Sequence, residues 1–109
     1  MKMQGNIILA YQTSENNRYA NMHAFEEEFH DLKAICINGI GSSALFDSVI
    51  KPEHELMILF SYMKDHWTFT IYTNKDYVDC SVIAKLYGGG GHKNAAGFTT
   101  LRQLNTLFD

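Results

Sequence analysis

Short apolar runs bounded by turn-forming residues predict five strands along the chain. These runs cover residues 6–12, 33–38, 55–63, 66–73 and 95–99. Only Lys64 and Asp65 separate the third run from the fourth, and the fourth is rich in β-branched and aromatic residues. This arrangement predicts a β-hairpin.

Apolar residues at three- and four-residue spacing predict helices between the strands. The first covers residues 18–29. The second covers residues 44–49, with Ser42 or Ser43 as its N-cap. A third begins after Asp79 or Ser81 and continues to Tyr87, where Gly88 provides a stop. Residues 101–108 are expected to form a last amphipathic helix or a frayed tail. The order of elements predicts an α/β fold with a mixed sheet flanked by helices.

Composition sets limits on size, partners and location. The 109 residues fit one small domain. The formal charge is −3, with 9 Lys and Arg against 12 Asp and Glu, so a local site for a short or single-stranded nucleic acid fits better than a grip on long duplexes. The absence of a signal peptide and of a long apolar run predicts a cytoplasmic chain with no membrane partner. Cys36 and Cys80 are then expected to be free thiols.

The segment most informative about chemistry is the glycine run that follows the third helix. Gly88, Gly89, Gly90 and Gly91 lack a Cβ, so their amides can approach a ligand closely and form an anion-binding concavity. His92, Lys93 and Asn94 then add an imidazole, a positive charge and an amide. This combination favours a phosphate with a sugar or base attached. The run is neither a Walker A loop nor a Rossmann fingerprint, because it follows a helix and Lys93 is not followed by Ser or Thr.

These residues resemble a known family. The segment 78–85 (VDCSVIAK), followed by residues 87–98 (YGGGGHKNAAGF), is similar to the DHH-associated C-terminal domain of DHH-family phosphoesterases. That family includes RecJ-type exonucleases, oligoribonucleases, cyclic dinucleotide phosphodiesterases and exopolyphosphatase-related proteins. The similarity covers about twenty residues, and the GGGGH-x-x-AAG motif is specific.

The resemblance implies a division of labour between two domains. In the family, a separate N-terminal domain holds manganese with residues that include an Asp-His-His triplet, which this chain lacks. Residues 1–109 would then be the substrate-binding domain alone, with no catalytic or metal-binding residues and no cofactor of its own. Gly88 to Gly91 and His92 would clamp the phosphate and terminal nucleotide, flanked by Lys93 and Asn94.

One family feature is missing before the glycine run. Many members place an arginine near the end of the preceding strand, where it can pair with phosphate. The corresponding residues here are Tyr72, Thr73, Asn74 and Lys75. Thr73 or Asn74 could donate a hydrogen bond and Lys75 could supply charge, but a bidentate contact is lost.

Three functions follow as hypotheses. The first is a binding module for a short single-stranded nucleic acid or nucleotide, inactive alone toward phosphodiesters. The second is half of an enzyme, completed in trans by a metal-bearing partner domain. The third is an RNA-binding accessory like the related domain that ends alanyl-tRNA synthetases. The sequence leaves open the exact substrate and whether the chain forms a homodimer.

Several other polar residues are expected to have ordinary roles. His23 and His30 are predicted on one helix face as surface histidines, and His54 as a solvated turn residue. Residues 26–28, three glutamates, are expected on a solvated helix face. Asp65 and His66 are expected to cap a turn rather than bind metal.

Two aromatic residues are weighed as base-stacking candidates. Trp67 is expected in the hairpin core or an interface rather than on a base. Tyr87, beside the glycines, is equally compatible with stacking on a base and with packing inside the domain.

Overall fold

The described part of the chain is built on one six-stranded mixed sheet. The computed structural model describes residues 15–63 and 65–100. The strands are β1 (Phe25–Phe29), β2 (Leu32–Asn38), β3 (Leu56–Met63), β4 (His66–Tyr72), β5 (Gly90–His92) and β6 (Ala95–Thr100). The helices are α1 (residues 15–23 of the described part), α2 (Cys80–Leu86) and a 3₁₀ turn (Ser43–Phe46).

The strand order across the sheet is β1-β2-β3-β4-β6-β5. β2 and β3 are parallel, and every other neighbouring pair is antiparallel. The connection between the parallel strands contains the 3₁₀ turn, as parallel strands require a crossover. The predicted α/β fold with a mixed sheet is therefore confirmed.

Each face of the sheet has its own apolar cluster, because successive residues of a strand point to opposite faces. We call the face covered by α2 the helix-2 face; its buried residues include Cys36, Ile58, Phe69, Ile83 and Phe98. We call the other the helix-1 face, because residues of α1 and the 3₁₀ turn pack on it. Its buried residues include Ala20, Ile37, Phe46, Met57 and Leu59.

The prediction of a helix over residues 18–29 was wrong in its second half. Helix α1 ends at residue 23, and β1 begins at Phe25. Phe25 and Phe29 are four residues apart, a spacing that places side chains on one side of a helix and also on one face of a strand. Backbone pairing with β2 makes this segment a strand, and both phenylalanine rings pack in the apolar cluster on the helix-2 face.

The β1–β2 hairpin has a two-residue turn that the sequence pattern did not predict. His30 and Asp31 occupy it with φ values of 52° and 62°. Positive φ at both positions matches the twist of the flanking strands. His30 therefore lies in a turn, so the predicted helical face shared by His23 and His30 does not exist.

Most other predicted elements are confirmed. The strand at 33–38, the hairpin at 55–73, the strand at 95–99 and the helix after Asp79 are all present. The helix predicted at 44–49 is a short 3₁₀ turn, with the Ser42 hydroxyl accepting from the amide of Ala44 at 3.3 Å. The strand predicted at 6–12 and the helix predicted at 101–108 lie outside the described residues. Within residues 15–63 and 65–100, no helix is long and apolar enough to cross a membrane.

Candidate functional site

Helix α2 directly precedes the glycine run, and both ends of the helix are capped by side-chain or backbone hydrogen bonds. The Asp79 carboxylate accepts hydrogen bonds from the amide and hydroxyl of Ser81 at 3.0 and 2.6 Å. These bonds hold the pKa of Asp79 below its usual value. At the other end, the amide of Gly88 donates to the carbonyl of Lys85 and that of Gly89 to the carbonyl of Ala84. This is a Schellman arrangement, and Gly88 supplies its left-handed residue with φ of +83°.

Gly89 and Gly91 are required by the approach of β5 to β6. A Cβ on Gly89 would lie 2.1 Å from the carbonyl oxygen of Gly97 and 2.6 Å from Cβ of Phe98. A Cβ on Gly91 would lie 2.6 Å from Cα of Ala96, and the φ of Gly91 is +148°. Neither position can accept a side chain without moving the backbone of β6.

Gly90 differs from the three glycines around it. A Cβ at this position would have no atom of residues 15–63 and 65–100 within 4 Å, and the φ of Gly90 lies outside the positive range that favours glycine. A side chain at Gly90 would therefore meet no clash with the described residues and no strain from positive φ. The described part of the chain explains glycine at positions 88, 89 and 91 but contains no contact that requires glycine at position 90.

His92 ends β5, which is an edge strand of the described sheet. Its imidazole is exposed and has no hydrogen-bond partner among residues 15–63 and 65–100. Gly90 and His92 are two residues apart on one strand, so both point to the same side of it. The strand therefore presents a glycine with open space beside it and an exposed imidazole on the same side. Next to them are the backbone N–H and C=O groups that an edge strand leaves unpaired within the described sheet.

Lys93 and Asn94 form the two-residue turn between β5 and β6, and their side chains fasten it to the segment after β4. Nζ of Lys93 donates to the carbonyl of Lys75 at 3.3 Å, and Nδ2 of Asn94 donates to the carbonyl of Thr73 at 3.2 Å. The amide of Cys80 donates to the Lys93 carbonyl at 2.8 Å, which ties the turn to the start of α2. Both residues remain exposed, and Lys93 directly follows His92 in the chain.

Thr73 is placed under this turn rather than on the surface. It is 4% exposed, its hydroxyl donates to the carbonyl of Glu55 at 2.7 Å, and the same oxygen accepts from the amide of Lys75 at 3.1 Å. The hydroxyl proton is thus used within the protein, and Thr73 positions the segment that meets the turn. Asn74 is exposed beside it, and Nζ of Lys75 donates to the carbonyl of Pro52 at 2.6 Å.

The structure gives Tyr87 an internal role. Its ring stacks on Phe98 with centroids 4.6 Å apart and lies 6.0 Å from Phe29, and its hydroxyl is 2.6 Å from Nε2 of His30. These contacts are on the helix-2 face. Trp67 packs against Phe60 in the hairpin, as expected for a core position.

The expectation that His54 is solvated was wrong. The residue is 3% exposed, and its two ring nitrogens contact Glu26 and the amide of Lys51. No local pattern marks this burial, because Glu26 comes from a strand 28 residues away. Glu26, Glu27 and Glu28 are exposed as expected, but on β1 instead of a helix.

Other features of the described residues fall outside the glycine run. Within residues 15–63 and 65–100, no group of three or more His, Cys, Asp or Glu side chains is arranged to hold a metal ion.

A cleft of about 760 Å³ lies at the carboxyl ends of β2 and β3, lined in part by Tyr19, His23, Ile40 and Tyr62. No local sequence pattern marks this cleft, since its lining comes from four separate segments.

Comparisons with known proteins bear on the fold. No family model matches the sequence, and no curated protein matches it. The structure is similar to that of a pGpG-specific phosphodiesterase, PggH from Vibrio cholerae, with a TM-score of 0.63 and 10% identity. It is also similar to an uncharacterized protein from Helicobacter pylori G27, with a TM-score of 0.59 and 20% identity.

Coverage in the two comparisons is uneven. The aligned regions take in 83% and 88% of this chain but only 33% and 27% of those proteins. The chain thus spans about a third or less of the length of the solved structures it resembles. What these comparisons establish is that this domain shares its fold with part of a pGpG-specific phosphodiesterase.

Proposed function

We propose that this chain is the substrate-binding domain of a DHH-family phosphoesterase. It clamps the phosphate and terminal nucleotide of a short single-stranded nucleic acid or a nucleotide for hydrolysis by a metal-bearing domain. The observation that carries the proposal concerns Gly90, the one glycine of the run that no contact with the described residues requires. A residue kept small where space is open leaves room for another molecule.

The side chains around Gly90 suit an anionic ligand. The exposed imidazole of His92 shares its side of β5, and the exposed groups of Lys93, Asn94 and Asn74 lie around the adjoining turn. Lys93 and Lys75 each donate from Nζ to a backbone carbonyl, and neither forms an ion pair within 4 Å among the described residues. Their nearby carboxylates, Asp79 and Glu55, interact with them at longer range. The charge of the two lysines is available to a phosphate at short range.

The neighbouring strand end lacks the arginine common in the family. Hydrogen bonds from backbone amides, His92 and the amide side chains replace a bidentate guanidinium contact. We therefore propose modest affinity for a single phosphate, with the rest of the nucleotide contributing to binding.

The fold similarity to part of a phosphodiesterase and the GGGGH-x-x-AAG motif support placement in this family. The proposal assigns manganese and the chemical step to a second domain, in cis or in trans. We expect the chain alone to have no manganese-dependent hydrolytic activity.

Titration of the purified chain with three ligands tests the proposal. We expect adenosine monophosphate and a short oligoribonucleotide to bind, and tRNA to bind no more tightly than the oligoribonucleotide. Absence of binding to both small ligands would contradict the proposal. Markedly tighter binding of tRNA would favour an RNA-binding accessory role. Hydrolysis by the chain with manganese alone would overturn the assignment of catalysis to another domain.

A further inference from the structure

Gly90 and His92 each begin a row of directly paired residues that crosses the neighbouring strands β6, β4 and β3. Both rows lie on the helix-1 face of the sheet. Directly paired residues share a face of a sheet. His92 pairs with Ala95, Ala95 with Tyr72, and Tyr72 with Met57.

The second row runs beside the first. Gly90 pairs with Gly97, Gly97 with Thr70, and Thr70 with Leu59. Both rows therefore begin at the glycine run and end in the apolar cluster of the helix-1 face.

The character of the rows changes from one side of the sheet to the other. Met57 and Leu59 are buried under the cluster that includes residues of α1 and the 3₁₀ turn. Beyond them the rows contain hydroxyl side chains and then very small residues, all of which keep part of their surface exposed. We call this area the platform, and it consists of Thr70, Tyr72, Ala95 and Gly97.

Tyr72 and Thr70 bring hydrogen-bonding groups to the platform. The ring of Tyr72 packs against the apolar cluster, and burial raises the pKa of its hydroxyl, which therefore stays protonated. Among the described residues, neither hydroxyl has a hydrogen-bond partner. The Thr70 hydroxyl lies 4.0 Å from where a Cβ on Gly97 would be, so it borders the platform directly.

We propose that the platform binds the nucleoside part of the ligand whose phosphate is held at Gly90 and His92, with Tyr72 and Thr70 as its hydrogen-bonding residues. His92 and Tyr72 are separated by one strand, so their backbones lie roughly 10 Å apart at the usual strand spacing. That separation exceeds the width of a phosphate group. The small residues between them leave space for a sugar or base.

The opposite face cannot serve in the same way. Gly89 and Gly91 face β6 at contact distance, and the stacked rings of Tyr87, Phe98 and Phe29 fill the area beyond. The geometry therefore directs the ligand to the helix-1 face.

This inference rests on the proposed function, and titration with adenosine monophosphate separates the two. Tyr72→Phe and Thr70→Val each remove a hydroxyl while keeping the shape of the side chain. We expect each to weaken binding about fivefold, the effect of one ordinary hydrogen bond. Thr68→Val is the matched control. Thr68 lies on the same strand and the same face as Thr70 and Tyr72, but it is one row further from His92 than Thr70 is. It should bind as the parent does.

Amide chemical shifts recorded during the same titration provide a second readout. Residues of the platform should shift, and Val82 and Leu86 on the exposed side of α2 should not. If the parent binds and His92→Ala weakens binding while Tyr72→Phe and Thr70→Val match the parent, the platform is wrong and the proposed function stands. Chemical-shift changes centred on α2 would also overturn the assignment of the nucleoside to the platform. If the parent does not bind the nucleotide, the proposed function itself fails.

Discussion

The Nε2 atom of His54 lies 2.5 Å from Oε2 of Glu26, joining the turn before β3 to strand β1. The other ring nitrogen, Nδ1, accepts a hydrogen bond from the amide of Lys51 at 2.9 Å. The neutral ring must therefore carry its proton on Nε2 and donate it to the carboxylate. A nearly fully buried histidine thus has both nitrogens satisfied.

Replacing His54 should destabilise the fold. His54→Ala removes a buried ring and leaves the Lys51 amide without its acceptor, so we expect a loss of about 1–3 kcal/mol in the free energy of unfolding. Urea denaturation followed by circular dichroism measures this. His66→Ala, at the partly exposed start of β4, is the control and should change stability by no more than about 0.5 kcal/mol. Equal stability of the His54 variant and the parent would contradict the structural role.

Acid should destabilise the domain through Glu26, Glu53, Glu55 and Asp79. Hydrogen bonds from His54, Lys33, Tyr77 and Ser81, respectively, are the largest causes that lower the pKa of these carboxyl groups. A carboxyl whose pKa is lower in the folded state stabilises the fold above its unfolded pKa. That contribution is lost as the pH falls through the folded value.

The unfolded reference values are 4.5 for Glu and 3.8 for Asp. Melting temperature should therefore fall as the pH drops below these values. Glu55→Gln should flatten this fall, because the amide side chain of glutamine does not titrate. A variant curve parallel to that of the parent would exclude Glu55 from the effect.

Alanine substitutions should separate the structural glycines from Gly90. Gly91→Ala forces a Cβ against the backbone of β6 at positive φ, and we expect a loss of about 2 kcal/mol or more. Gly90→Ala enters open space, so stability should remain within about 0.5 kcal/mol of the parent. It should nevertheless weaken nucleotide binding. Thermal melts and titrations of the two variants check this contrast, and a destabilised Gly90→Ala would refute the distinction.

Loss of the His92 side chain should affect binding alone. The imidazole is exposed and has no hydrogen-bond partner among the described residues, so His92→Ala should melt as the parent does. A hydrogen bond to a charged phosphate is worth about 1.5–3 kcal/mol, which corresponds to a loss of about tenfold or more in affinity for a short oligoribonucleotide. His66→Ala is again the control. Unchanged affinity in the His92 variant would remove this residue from the site.

The two thiols should be unreactive in the folded protein. Burial raises the pKa of Cys36 to about 12 and that of Cys80 to about 11. Because the thiolate is the reactive form, a disulfide reagent at pH 8 should modify both residues slowly in buffer and rapidly in denaturant. Stability linked to the thiols is complete below their unfolded pKa of 9.0 and is lost as the pH rises toward the folded values. Fast labelling of the native protein would contradict their burial.

Local signals were sufficient for several elements. The hairpin of β3 and β4 is marked by two apolar runs and a short polar turn, and α2 by Asp79 before it and Gly88 after it. Each of these signals lies within a few residues of the element it specifies, so it can be read without knowing the partner.

Predictions from the sequence were wrong where contacts between distant segments of the chain determine the local structure. Phe25 and Phe29 fit both a helix and a strand, and only pairing with β2 selects the strand. His54 has the sequence surroundings of an exposed turn residue, but the arrival of β1 buries it and supplies Glu26.

The sequence by itself determined the α/β class, the β3–β4 hairpin and the presence of a glycine run with His92 at its end. Only the tertiary structure distinguished the glycines within that run and placed Tyr72 and Thr70 in the same rows as His92 and Gly90. The physical reason is that the space around a Cα, and the face that a strand shares with its neighbours, depend on cross-strand packing between residues far apart in the chain.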